Sequence, residues 1–190
     1  MSTSRRLAVL CYHTSPLARA GGRDAGGMNV YVRATALELG RLGYAVDVFS
    51  RATNRGPRIT TVAPDVRFVA LPAGPRRRID KTLQRDYVHD FVNAAVAFRL
   101  HEGSRYDLVH SHYWLAGVAG VQLQRRWGVP HATMFHTLGE VKNRARLGEH
   151  EPAERIEAER RIVHAADRIV CATEHERELL ASLYGARDEA

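Results

Sequence analysis

The sequence predicts an α/β fold, a Rossmann-like doubly wound parallel sheet, and three observations predict it. Short apolar runs recur along the 190 residues, at 6–12, 44–50, 66–71, 106–112, 130–137 and 168–173. Segments with helical spacing of apolar residues separate most of these runs, and that alternation is what strands joined by crossover helices produce. The loop after the first run, GGRDAGGMN, is rich in glycine. It stands where an open parallel sheet binds its ligands, beyond the carboxyl end of a strand.

Each element follows in chain order. RLAVLCY (6–12) reads as the first strand, and MNVYVRATALELGRLG (28–43) places Val30, Ala34, Leu37 and Leu42 at near-helical spacing, with Gly43 as a stop. YAVDVFS and VRFVAL read as the next two strands, with RATNRGPRITTVAPD as a turn-rich connection between them. The spacing then predicts one long helix over 81–102, with Tyr87, Phe91, Ala94, Ala95 and Phe98 on one face. YDLVHSH is a fourth strand, WLAGVAGVQLQRRWG a helix ending at Gly128, and PHATMFHT a fifth strand. EPAERIEAERRIVHAAD reads as a charged helix opening near Pro152, and RIVCAT as a sixth strand. Thr173 and Glu176 stand in capping-box register at the head of a last helix that runs to Gly185.

Composition narrows the function classes. With 45% hydrophobic and 26% charged residues the chain suits a soluble globular domain. No run approaches the roughly 18 apolar residues of a membrane span, and MSTSRRLAVLCY lacks the pattern of a signal peptide, so a cytoplasmic protein without a transmembrane segment is expected. Cys11 and Cys171 lie in apolar runs without metal-ligand spacing and read as reduced, buried thiols. The net charge of +7 raises nucleic acid as a partner, but the basic residues are scattered and lack interleaved aromatic residues. No nucleic acid is expected.

The loops leaving the strands carry the candidate chemistry. The glycine loop is not the GxGxxG fingerprint, which argues against a dinucleotide cofactor; Gly26 and Gly27 instead let backbone N–H groups at a helix N-terminus approach an anion. His110, His112 and His136 close two neighbouring strands, but no carboxylate or further histidine stands at metal-ligand spacing, so no metal is expected. No GxSxG elbow is present. Lys81, Tyr113, Thr137, Lys142 and Arg155 sit in or near loops on the same edge, where cations, a phenol and a hydroxyl can converge on one phosphate.

The stretches HTSPLARAGGRDAGGMNVYVRATALELGRLGYAVDVFSRAT, YDLVHSHYWLAGVAG, FHTLGEVKN and ADRIVCATEHERELL together resemble the N-terminal domain of a retaining family 4 glycosyltransferase of GT-B fold. The resemblance covers essentially the whole chain. It implies an acceptor-binding domain over 1–185, with 186–190 opening an interdomain linker and the C-terminal donor domain absent. The implied activity is transfer of N-acetylglucosamine from UDP-N-acetylglucosamine to inositol 3-phosphate, as at the start of mycothiol synthesis. GPRRRIDK and the Gly139–Glu140 pair depart from that pattern, and Gly139 leans towards sucrose-phosphate synthases. Transfer to a hexose phosphate is therefore the alternative, and a nonenzymatic phosphate- or sugar-binding module a third reading.

By the same resemblance, Gly27, Met28 and Asn29 line the donor and acceptor cleft, and Lys81, Tyr113, Thr137 and Arg155 hold the acceptor phosphate. His136 sits beside the reacting sugar as the catalytic candidate. No cofactor is implied beyond the nucleotide sugar substrate, and no side-chain nucleophile: the reaction proceeds on one face of the sugar, with the departing phosphate helping to take the acceptor proton. Partners are the nucleotide sugar, the phosphorylated acceptor and the missing domain, whose exposed interface favours a homodimer.

Overall fold

A computed structural model describes residues 5–17, 26–55, 58–145 and 150–187; the side chains of Lys81 and Thr82 also lie outside the described residues. The strands are β1 (Arg6–Leu10), β2 (Ala45–Arg51), β3 (Ile59–Ala63), β4 (Val66–Leu71), β5 (Leu108–His112), β6 (His131–Met134) and β7 (Arg168–Ile169). They form one sheet in the order β3-β4-β2-β1-β5-β6-β7. Every pairing is parallel except that of β3 with β4. The helices are α1 (Gly27–Arg41), α2 (Lys81–Gln84), α3 (Val88–His101), α4 (Trp114–Trp127), α5 (Gly139–Ala145), α6 (Ala153–Ala165) and α7 (Glu174–Tyr184).

The period-two alternation of strand side chains divides the core between the two faces of the sheet. Leu7, Val9 and Cys11 join Val46 and Val48 beneath Val32 and Ala36 of α1. Ala8, Leu10 and Tyr12 point the other way, into the larger core beneath α3 and α4, which α6 and α7 extend. At the amino end of the sheet, Asp47 is fully buried and accepts from Arg67, Arg6 and the Tyr106 hydroxyl at 2.7 to 3.1 Å. A buried carboxylate persists when its lone pairs are satisfied in this way.

Several expectations are corrected. Ile59–Ala63 is an antiparallel edge strand, not a connection; none of its residues is buried, so no buried alternation marks it. The helix expected over 81–102 is broken by a 3-10 turn at Arg85–Tyr87, where the Tyr87 ring packs on Gly74. The buried face of α1 is Asn29, Val32 and Ala36, whereas Val30 and Leu42 are exposed. Cys171 is only partly buried, although Cys11 is fully so. FHTLGEVKN contains a short helix that spacing alone did not reveal. The cap of α7 is as expected, with Glu176 N donating to Thr173 Oγ1 at 3.1 Å and Gly185 left-handed at the other end.

Candidate functional site

The chain passes from β1 to β2 and β4 on one side, then returns to lay β5 on the other side of β1. This reversal opens a crevice beyond the carboxyl ends of β1 and β5, the place where open α/β sheets bind ligands. A cleft of about 740 Å³ lies there. Its walls come from the segment after β1, the N-terminus of α1, and the residues following β5 and β6.

At α1, Gly26 occupies the N-cap position with no side-chain cap, and the first turn contains no acidic residue. Gly26 and Gly27 line the cleft, so the positive end of the helix faces it with nothing of its own to neutralise it. Residues 18–25, which carry the first glycine pair, lie outside the described residues. Asn29 is buried in the same wall; its Nδ2 donates to Thr14 Oγ1 at 3.0 Å and to Ser15 O at 3.3 Å. Its Oδ1 has no partner among the described residues.

Opposite stands a charged cluster. Arg155 is 1% exposed and its guanidinium is held on three sides. Nε donates to Glu159 Oε1 at 2.7 Å, and Nη2 donates to the carbonyl and the hydroxyl of Thr137 at 2.8 and 3.0 Å. Nη1 lies 2.9 Å from Glu151 Oε2. The guanidinium carbon also stands 4.9 Å from the centre of the Tyr113 ring. Burial opposes the charge, but Tyr113, Glu159 and Glu151 outweigh it and raise the Arg155 pKa. Burial raises the Tyr113 pKa as well, against the pull of Arg155, so the phenol keeps its proton at neutral pH. Lys142 lines the cleft and pairs with the other oxygen of Glu151.

The histidines form a second group. His112 Nδ1 and His136 Nε2 lie 3.0 Å apart in a hydrogen bond, and the rings of His110 and His112 are 4.2 Å apart. Burial lowers His110 and His136 to about 4 and takes His112 well below its usual value. All three are neutral at physiological pH, and only His136 lines the cleft. Among the described residues, no group of three or more His, Cys, Asp or Glu could hold a metal ion.

The structure therefore brings Gly27, Met28, Asn29, Tyr113, His136, Thr137 and Arg155 into one cleft. Lys81 opens α2, and its side chain lies outside the described residues. Sequence reasoning missed Glu151 and Glu159. For Glu159 the signal was present, since it follows Arg155 by four residues on α6 and stacks acid on base; Glu151 precedes the helix, and no helical spacing marks it.

The glycosyl transferase 4-like domain model matches residues 26–190. A D-inositol 3-phosphate glycosyltransferase of Nocardiopsis dassonvillei is 44% identical over 187 residues, covering 96% of this chain and 44% of that protein. The enzyme of the same name from Mycobacteroides abscessus is 45% identical over 186 residues, covering 96% and 42%. The chain spans less than half the length of these relatives. Among solved structures, a sucrose-phosphate synthase from Thermosynechococcus elongatus superposes with a TM-score of 0.89 at 30% identity, over 96% of this chain and 46% of that one. No helix among the described residues is long and apolar enough to cross a membrane.

Proposed function

The chain belongs to the glycosyl transferase 4-like family, and from that membership we propose that its cleft is the acceptor site of a glycosyltransferase acting on a phosphorylated polyol. Inositol 3-phosphate is the first choice of acceptor, with N-acetylglucosamine from UDP-N-acetylglucosamine as the sugar; two relatives carry the inositol phosphate in their names. The likeness to a sucrose-phosphate synthase supports a hexose phosphate as the second reading.

The observation that carries the proposal is the convergence of Tyr113, Thr137 and Arg155 on one wall of the cleft. A protonated phenol, a hydroxyl and a guanidinium suit a phosphate, whose oxygens accept from both neutral and charged donors. The cleft also offers Asn29 Oδ1, buried and without a partner among the described residues, as an acceptor for a ligand hydroxyl. Neutral His136 also lines the cleft, as a donor or acceptor towards the sugar. The carboxylates on the cleft wall, Asp86, Glu151 and Glu154, are each engaged by Arg85, Lys142 or Arg155. That arrangement favours positioning over attack by a side chain, in keeping with retention by a reaction on one face.

Calorimetry with inositol 3-phosphate, glucose 6-phosphate and fructose 6-phosphate tests the proposal. Tyr113→Phe keeps the ring on Arg155 and removes only the hydroxyl, so its affinity for the preferred ligand should fall by about 1.5 to 3 kcal/mol, the weight of a hydrogen bond to a charged group. Equal binding by both proteins would remove Tyr113 from the site. Tightest binding of a hexose phosphate would replace the acceptor named here.

A further inference from the structure

We propose that Glu151 is an internal counter-anion seated where the ligand's phosphate binds, and that an incoming dianion displaces it. The inference rests on the reading of the cleft as a phosphate site. Glu151 lies in the cleft wall, two residues ahead of α6, and its carboxylate is shared by two cations from different elements. One oxygen is 2.9 Å from Arg155 Nη1, and the other contacts Lys142 Nζ in α5. The backbone beneath is fixed by Asn143, whose Oδ1 accepts from Glu151 N at 2.7 Å and whose Nδ2 donates to Glu151 O at 3.1 Å.

Charge balance supplies the argument. Among the described side chains, Arg155 and Lys142 are matched by Glu151 and Glu159, so this group of four is neutral as it stands. A phosphate dianion on the same two cations, with both carboxylates still in place, would leave two uncompensated negative charges in a partly buried site. Repulsion and desolvation both oppose that state. One carboxylate must yield.

Glu159 is not the one. It is fully buried and accepts from Gly139 N, the Tyr184 hydroxyl and Arg155 Nε, at 2.9, 2.6 and 2.7 Å. Glu151 has no such anchorage, and its side chain is 17% exposed. Rotation about its own side-chain bonds carries the carboxylate towards solvent while Asn143 holds the backbone. The donors it vacates, Arg155 Nη1 and Lys142 Nζ, are then open to phosphate oxygens. A dianion replaces the charge that leaves, whereas a neutral polyol does not. Glu151 thus sets the preference for phosphorylated over unphosphorylated ligands.

The test is calorimetry of inorganic phosphate, above its second pKa, and of unphosphorylated inositol, with the unmodified chain, Glu151→Gln and Glu151→Ala. Circular dichroism establishes that each variant is folded. Both variants should bind phosphate more tightly by roughly tenfold or more, the scale of one charge-assisted contact no longer competed for, while inositol does not gain. If the unmodified chain binds phosphate and the folded variants bind it equally or more weakly, Glu151 is scaffold and the proposal fails, with the phosphate site intact. An equal gain for inositol also overturns it. If none of the three folded proteins binds phosphate, the reading of the cleft falls, and the proposal with it.

Discussion

Tyr113 follows β5 with φ 77° and ψ 156°, and His136 stands just beyond β6 with φ 61°, although neither is glycine. Backbone of this kind costs on the order of 1 to 3 kcal/mol per residue and persists only where the surroundings hold it. Tyr113 N donates to Met134 O at 2.9 Å, and its ring packs on His13 at 4.5 Å; His136 is bonded to His112. In this way both side chains reach the cleft. Asn tolerates left-handed backbone and a β-branched residue does not, so His136→Val should be less stable than His136→Asn by about 1 kcal/mol or more in chemical denaturation. The histidines also make stability depend on pH. Burial lowers His110, His131 and His136 from 6.5 to about 4. The unfolded chain takes up these protons first, so the stabilisation is complete above the unfolded value and is lost as pH falls towards the folded one. Stability should therefore fall as pH drops from about 6.5 towards about 4. Denaturation midpoints that stay level between neutral pH and about pH 5 would contradict this burial. The residue types of the site were readable from the sequence because they occupy strand exits. Their backbone strain was not, since no glycine marks either position, and of the two carboxylates on Arg155 only Glu159 stands at a helical spacing from it.

At the scale of elements, α4 lies close to its neighbours because it presents small residues to them. A Cβ at Gly117 would meet Ile162 of α6 at 2.7 Å, and one at Gly120 would overlap the His131 ring of β6. That ring cannot readily step aside, being bonded to Ser111 Oγ at 2.7 Å. Gly120→Ala should therefore destabilise the fold by about 1 to 3 kcal/mol through overpacking, although alanine is the better helix former. Equilibrium denaturation measures it, and a gain in stability would show that α4 can move. Helices α5, α6 and α7 are joined through Glu159, which accepts from Gly139 N and Tyr184 Oη. Tyr184→Phe removes one donor from this buried carboxylate and should cost about 1 to 3 kcal/mol in the same measurement. The long elements were legible, since α3, α4 and α6 each bury enough residues to show a period. The edge strand β3 and the seven-residue α5 were not, because one buries no residue and the other is short. The face of α1 was misassigned for a related reason. Apolar residues occur all around it, and the buried polar Asn29 marks the inner side.

For the whole molecule, the alternation of strands and helices specified the sheet, and the reversal of strand order at β1 placed the cleft. On the proposed function, that placement supplies half of a reaction site. Arg85, Lys142 and Arg155 are the described cations on the cleft wall, and each is paired with at least one carboxylate. The rings of His110, His112 and His136 are neutral at physiological pH. Each described lysine and arginine of the cleft wall thus already has a carboxylate, and the bare N-terminus of α1 is a positive feature left for a leaving diphosphate. Stabilising the leaving group is where most of the catalysis should lie, and loss of even one donor in such a site slows an enzyme roughly a hundredfold to a thousandfold. The relatives are more than twice as long, which leaves room for a second domain to supply those donors and to hold the sugar near the acceptor. A polypeptide of these 190 residues is therefore expected to bind the acceptor without catalysing transfer. Release of UDP from UDP-N-acetylglucosamine with inositol 3-phosphate measures this, comparing residues 1–190 with the same residues joined to the C-terminal half of the Nocardiopsis dassonvillei relative. Turnover should require the joined protein. Appreciable turnover by residues 1–190 alone would place the donor site within this cleft and return His136 to consideration as part of a self-contained catalytic centre.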